Sequence, residues 1–383
     1  MKGILIFLSI VCLMGPASAI SPNQNRQRIR EFGITIGILE PGPRNAITDV
    51  AGVKVGHVTL IKNQDIRTGV TAVLPHDGNL FLSKVPAAVY VANGYGKLMG
   101  YTQIEELGNL ETPIILTNTL SVPTAANALI GYMLSMDGNE QVQSVNPIVG
   151  ETNDGFLNDI RGRHVKEQDV LQAIKVASSG PVAEGSVGAG TGTTCFRYKG
   201  GIGTASRVLA ENRGGYTLGV LVQTNFGGNM QIRGFPIGQH LSGSFGAVPS
   251  ESGPLPEGSC MMVVATDAPI DSRNLKRLAK RSLLGIPRTG GYYSNSSGDY
   301  CIAFSTATSL RIPARSRSRT LVREVLRNSA MSALFSAAAE ASEEAILNSM
   351  FKAETMTGRG GNRVEALPLD KVRALMKDPV GNE

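Results

Sequence analysis

From Gly33 to Gly100 short apolar runs alternate with Gly, Pro, Asn and Asp. The runs GITIGIL, VKVGHVTLI, TAVLP and AAVYVANG read as strands, with turns at the punctuation. PIILTN is a further short apolar run, and Val122–Leu134 (VPTAANALIGYML) then reads as a helix. Pro123 falls near its first turn, where a missing N–H is harmless. Residues 166–180 read as a second, amphipathic helix, and residues 217–225 (TLGVLVQTN) as a buried strand. Residues 233–258 are rich in Pro, Gly and Ser, lack periodicity, and read as a surface loop. That loop runs straight into SCMMVVATDAP, a strong buried-strand pattern beginning at Ser259. Asp271 to Ser282 reads as a helix with Asp271 or Ser272 as N-cap, and DYCIAFSTA (299–307) as another strand. Residues 321–356 are rich in Ala, Glu and Leu and predict a long helix, with Gly358 as its stop. Helices and groups of strands mix without a regular βαβ rhythm, which favours a layered α/β sandwich over a doubly wound sheet.

The N-terminal end of the chain differs from this pattern. Lys2, the apolar run Ile4–Met14, the Gly15-Pro16 break and Ala17-Ser18-Ala19 have the layout of a secretory signal peptide. Residues 1–19 are therefore expected to direct export, to a periplasm or outside the cell, and to be removed. The apolar run is too short for a membrane span, and no later stretch is long and apolar enough. Residues 20–32 are polar and charged and read as a poorly ordered lead-in.

Composition adds limits. The 383 residues are 42% hydrophobic and 18% charged, enough apolar content for a large core. The 45 glycines point to tight turns and close backbone approaches. The formal charge is +6, with the densest positive run at Arg311, Arg315, Arg317, Arg319 and Arg323. No aromatic residue interleaves there to stack on bases, so a solvated loop or strand edge is expected and no nucleic-acid partner. Cys12 lies in the signal. Cys195, Cys260 and Cys301 remain, which leaves open one bridge or buried free thiols.

Common catalytic spacings are missing. His57, His76, His164 and His240 are far apart, with no HExxH or CxxC, so a metal site has no support in the spacing. No GxSxG elbow and no GxxxxGK[ST] phosphate loop occurs. The cluster Gly188–Gly192 lacks the offsets of a dinucleotide loop and reads as a turn. NAITDVAGVKVGH reads as a turn followed by a strand rather than as half of a catalytic triad.

A serine without a nearby histidine still has one available base. Serine needs a base to attack, and an α-amine has a pKa of about 7.7. A serine freed as a chain's first residue carries that amine itself. A precursor can create such a residue when the serine hydroxyl attacks the preceding carbonyl and water hydrolyses the resulting ester. Gly258-Ser259, at the join of a loose loop and a core strand, fits this need, because glycine leaves the carbonyl uncrowded. Gly-Ser dipeptides are common, however, and on this argument alone the better reading of Ser259 is a strand-start residue. Cys260 is a second candidate nucleophile on the same argument.

GSCMMVVATDAP (258–269) and LKRLAKRSLLGIPRTGG (275–291) resemble the L-aminopeptidase/D-amino-acid esterase and β-peptidyl aminopeptidase family. So do GILEPGPRNAITDVAGVKVGH (37–57), PIVGETNDGFLNDIRG (147–162), VGAGTGTTCFRYKGGIGTASR (187–207), LVQTNFGG (221–228), SGDYCIAFSTA (297–307) and ALFSAAAEASEEAILNSMFKAET (333–355). These blocks cover nearly the whole chain after the signal, in order. The resemblance implies a four-layer αββα sandwich like that of N-terminal-nucleophile hydrolases. It implies self-cleavage at Gly258–Ser259, giving an α chain of 20–258 and a β chain of 259–383 that stay one domain. Ser259 matches the nucleophile. Ser297 and Asp299 match a hydroxyl and carboxylate beside it. Asn225 matches the amide that stabilises the oxyanion, and Glu151 the carboxylate that holds the substrate's ammonium. Asn153 falls where some relatives carry a tyrosine hydroxyl. The reaction implied is hydrolysis of an amide or ester after a free amino-terminal residue (L-, D-Ala or β-), without a cofactor, by an oligomer of processed heterodimers. Two alternatives use the same fold. One is an acyltransferase of the ornithine acetyltransferase type, against which the serine and the export signal argue. The other is a secreted binding protein that has lost activity.

Overall fold

The computed structural model describes residues 26–242, 258–316 and 318–377. In chain order the strands are β1 (Lys54–Lys62), β2 (Ile66–Leu74), β3 (Ser83–Gly94), β4 (Leu98–Met99), β5 (Asn109–Leu110), β6 (Ile114–Asn118) and β7 (Ile148–Thr152). After them come β8 (Thr194–Cys195), β9 (Tyr198–Lys199), β10 (Ile202–Val208), β11 (Thr217–Asn225), β12 (Ser259–Thr266), β13 (Gly298–Ser305) and β14 (Ile312–Pro313). The helices are α1 (Tyr101–Leu107), α2 (Val122–Leu134), α3 (Glu167–Lys175), α4 (Ile237–Ser242), α5 (Ser272–Ser282), α6 (Gly285–Arg288), α7 (Ser332–Phe351) and α8 (Leu369–Lys377).

Two sheets stack face to face. One has the order β1-β2-β6-β7-β4, the other β10-β11-β12-β13-β3-β14 with β5 beside β3. Strand alternation explains the stacking. On β12, Met261, Val263 and Ala265 enter the core between the sheets, whereas Cys260, Met262 and Val264 enter a core shared with α5 and α7. On β6, Ile114 and Leu116 face the other sheet, and Ile115 packs with residues of α2 and α3. The layers are thus α2/α3, sheet, sheet, α5/α7, the four-layer sandwich expected. A Cβ on Gly150 of β7 would fall 2.3 Å from the Met261 side chain, so the sheets approach there as only glycine permits.

The helices read from residues 122–134 and 271–282 form with those bounds to within a residue, and the Asp271 side chain caps α5 by accepting from Asn274 N. Other expectations need correction. GITIGIL is no strand: Gly33 and Gly37 take φ of +98° and +75° and turn the chain, leaving Ile34 and Ile36 to pack as separate anchors. The lead-in is ordered from residue 26 onward. Ile29 and Phe32 are buried, and the Arg26 guanidinium donates to the Phe351 and Leu367 carbonyls. The second helix stops at Lys175, because Ser178 pairs with Val55 at the edge of β1. The 233–258 loop carries a six-residue helix, α4, while residues 243–257 lie outside the described residues.

The long helix is shorter than its composition suggests. It spans Ser332–Phe351, with Lys352 as C-cap, well before Gly358. Residues 321–325 are exposed, with no core for a helical face to meet. Leu326 N is held instead by the Pro269 carbonyl. Within α7 the glutamates are buried rather than solvated. Glu340 and Glu344 pair with the fully buried Arg207 at 3.1 and 2.7 Å, and Glu344 also pairs with Arg30 at 2.9 Å. The described arginines of the Arg311–Arg323 run are exposed or partly exposed, as a solvated segment leading off the edge strand β14.

Candidate active site

β11 ends at Asn225 and β12 begins at Ser259, and the two residues stand opposite each other in antiparallel register. On the far side of β12, β13 runs parallel and places Gly298 beside Ser259. By alternation Ser259 shares the inter-sheet side with Met261, and Asn225 shares it with Leu221. Ser259 is only 4% exposed. Its hydroxyl donates to the Gly258 carbonyl oxygen at 2.6 Å, and the Gly298 N–H donates to the same oxygen at 3.2 Å. The carbonyl before Ser259 is therefore held by two donors.

The loop before β13 closes over Gly258. A Cβ at that position would lie 2.9 Å from Ser297 Oγ and 3.3 Å from Ser294 Oγ. Asn93 of β3 fixes the loop, its Nδ2 donating to the Ser294 and Ser297 carbonyls at 2.7 Å each. Asp299 pairs with Cys260, not with Ser259, so its carboxylate leaves the sheet on the helix side. Ser297 lies between the two, next to Gly258 on one side and two residues before Asp299 on the other. Burial pushes the Asp299 carboxyl up to about 6, and the nearby Ser297 hydroxyl draws it back only in part. That hydroxyl falls short of a full hydrogen bond: both buried carboxylate oxygens lack a partner among the described residues.

Asn225 is oriented by its carbonyl end, since Oδ1 accepts from the Thr194 N–H at 3.0 Å. Glu151 belongs to the other sheet, at the end of β7. One of its carboxylate oxygens accepts from Lys97 N at 2.9 Å and the other from the Thr119 hydroxyl. The turn that supplies Lys97 also packs on the Ser259 end of the neighbouring sheet: a Cβ on Gly298 would lie 2.9 Å from Gly96 Cα. Tyr300 stands against Gly96, its hydroxyl pushed to higher pKa by burial first and by the Glu151 charge second. Asn153 lies beyond the strand, with Oδ1 accepting from Gly155 N at 2.9 Å in a turn of its own. Ser259, Asn225, Ser297 and Asp299 thus meet at one end of one sheet, and Glu151 reaches that end from the facing sheet. Asn93, Lys97, Thr119 and Thr194 are the supports that sequence reasoning missed. Thr194 lies in the glycine-rich block, whose length hints at a built loop, whereas nothing in the spacing marks the other three.

Cys195, Cys260 and Cys301 are buried free thiols. Burial, with the Asp299 charge second, pushes the Cys260 thiol well up, which disfavours the reactive thiolate.

The sequence pattern of peptidase family S58 matches residues 45–364. The chain belongs to this family. It is 42% identical over 385 residues to the β-peptidyl aminopeptidase BapA of Sphingosinicella microcystinivorans, covering 95% of this chain and 94% of that one. The β-aminopeptidase of a Burkholderia species superposes with a TM-score of 0.85 at 43% identity, over 93% of this chain and 100% of that one. The L-aminopeptidase D-Ala-esterase/amidase of Ochrobactrum anthropi superposes with a TM-score of 0.83 at 38% identity, over 92% and 98%. That enzyme is a prototype for the serine aminopeptidases and a variant of the N-terminal-nucleophile hydrolase fold. This S58 chain is accordingly a serine aminopeptidase with that four-layer fold. Among the described residues no helix is long and apolar enough to cross a membrane.

Proposed function

We propose that this aminopeptidase is made as a precursor that cuts itself at Gly258–Ser259 and then uses Ser259 as an amino-terminal nucleophile. The observation that carries the reading is the Gly258 carbonyl, met by the Ser259 hydroxyl at 2.6 Å and the Gly298 N–H at 3.2 Å. Ser259 Oγ adds to the Gly258 carbonyl carbon, the C–N bond breaks, and the amine leaves as the new α-amino group. Water then hydrolyses the Gly258 ester, giving a carboxylate and restoring the hydroxyl. Residues 20–258 and 259–383 remain one folded unit, since β11 and β12 lie on either side of the cut and pair from Leu218 to Asn225 against Ser259–Thr266.

In turnover the freed Ser259 attacks a substrate carbonyl. Its own amine, with Ser297 and Asp299 behind it, takes the proton. Nδ2 of Asn225 donates to the oxyanion. Glu151 holds the substrate's ammonium by a charge-assisted contact, which confines the enzyme to residues with a free amino terminus. The resemblance puts Asn153, in its turn beyond β7, among the substrate-binding residues. The acyl-enzyme on Ser259 is then hydrolysed. The substrates are small peptides, amides or esters of an L-, D-Ala or β-amino acid, with the similarity to two β-aminopeptidases favouring the β class. Export under the residue 1–19 signal, which lies outside the described residues, and assembly as an oligomer of processed heterodimers complete the reading.

The test uses p-nitroanilides of β-alanine and of L- and D-alanine, each free and N-acetylated. Hydrolysis of free substrates alone, abolished by Ser259→Ala, is expected. Equal hydrolysis of the acetylated forms would remove Glu151 from its role.

A further inference from the structure

The glycine-rich block contains a buried lysine that the reaction above does not use. Lys199 is 0% exposed and makes no ion pair among the described residues. Its Nζ donates instead to the carbonyls of Gly190 at 3.0 Å and Gly200 at 2.8 Å. Burial pulls the Lys199 amine down to about 7 and pushes the Asp154 carboxyl, one of whose oxygens is unpartnered, up to about 7, while the Asp154 charge favours the ammonium. A lysine amine without a bonded counter-ion is costly to bury, so its place in the fold calls for a reason.

The hairpin that carries Lys199 supplies one. β8 and β9 are joined by Phe196 and Arg197, with φ of +50° and +68°. Two consecutive positive φ values are the geometry of a type I′ turn, which normally takes Asn-Gly. A bulky Phe there is an outlier that persists only when its surroundings hold it. Three contacts do so. The Phe196 N–H donates to the Phe226 carbonyl at 2.8 Å, the Phe196 and Phe226 rings meet edge to face at 5.1 Å, and Lys199 ties the end of β9 to Gly190. Directly across the hairpin from Lys199 is Thr194, whose N–H holds Asn225 Oδ1.

We propose that Lys199 is a positioning residue for the oxyanion amide: its Nζ locks the strained hairpin, and the hairpin's Thr194 N–H keeps the Asn225 amide turned with its nitrogen to the substrate. The inference rests on the role given to Asn225 above.

The test is a double-mutant cycle on the processed enzyme with β-alanine p-nitroanilide, using Lys199→Met, Asn225→Ala and the pair. Lys199→Met should lower kcat at least tenfold with KM within twofold, and should add less than twofold to the loss in the Asn225→Ala enzyme. A loss of the same factor in both backgrounds would overturn the positioning role while leaving Asn225 in place. An Asn225→Ala enzyme with unchanged kcat would instead remove the oxyanion assignment itself. Arg197→Gly, at an exposed turn position, relaxes the hairpin and should restore at least threefold of the kcat lost in Lys199→Met. If Lys199→Met fails to fold both alone and with Arg197→Gly, Lys199 holds the domain as a whole and the proposal is wrong.

Discussion

Asp299 offers a prediction in which stability and activity move in opposite directions. Its carboxyl is raised from 3.8 to about 6, chiefly by burial. The native state therefore binds a proton more tightly than the unfolded chain does. Stability is full below the unfolded pKa, and it falls as pH rises through the native pKa. About two pH units at ~1.4 kcal/mol each correspond to about 3 kcal/mol that ionised Asp299 withholds from the fold near pH 7.5. Asp299→Asn keeps the shape and removes the charge. In an uncut Ser259→Ala background it should raise the urea-unfolding free energy by about 2–3 kcal/mol at pH 7.5 and by little at pH 4. In the Ser259 enzyme the same change should slow turnover, because the Ser297 hydroxyl loses the carboxylate behind it. Urea titrations at the two pH values read the first effect and steady-state kinetics the second. Unchanged or lower stability at pH 7.5 would refute the burial argument.

Three further outcomes follow from the same geometry. Asn225→Ala should leave folding intact and lower kcat by about 10²–10³-fold, as the loss of one oxyanion donor does elsewhere, measured on aminoacyl p-nitroanilides. Glu151→Gln should raise KM about tenfold or more for free-amine substrates, since a neutral amide replaces a carboxylate opposite an ammonium, a difference visible in a KM series. Arg207→Met should destabilise the protein by about 3–5 kcal/mol in a urea titration, because it leaves the buried Glu340 carboxylate without its guanidinium and Glu344 with Arg30 alone.

Much of the architecture was legible where one pattern dominates. TLGVLVQTN and SCMMVVAT are apolar on both faces because their strands sit between the second sheet and a helical layer, and both formed as read. Asp271 marks the start of α5 because its side chain can satisfy an end N–H. Legibility failed where tertiary contacts override local pattern. Residues 321–325 have helical composition but find no core, and α7 keeps its glutamates inside only because arginines from distant segments meet them. GITIGIL alternates like a strand, yet its glycines turn it. The candidate site was legible through resemblance more than through spacing. Ser259, Asn225, Ser297 and Asp299 come together only when β11, β12 and β13 line up in register. The supports Asn93, Lys97 and Thr119 act through backbone or single hydroxyl contacts that leave no sequence pattern.

The central claim is that Ser259 is the nucleophile and is freed by a cut the chain makes itself. Intact mass of the purified protein under denaturing conditions, for the wild type and Ser259→Ala, tests it most directly. Two fragments in the wild type, the smaller beginning at Ser259, with one uncut chain in the variant, are the predicted result. A single uncut chain in both, or cleavage that survives Ser259→Ala, would contradict it.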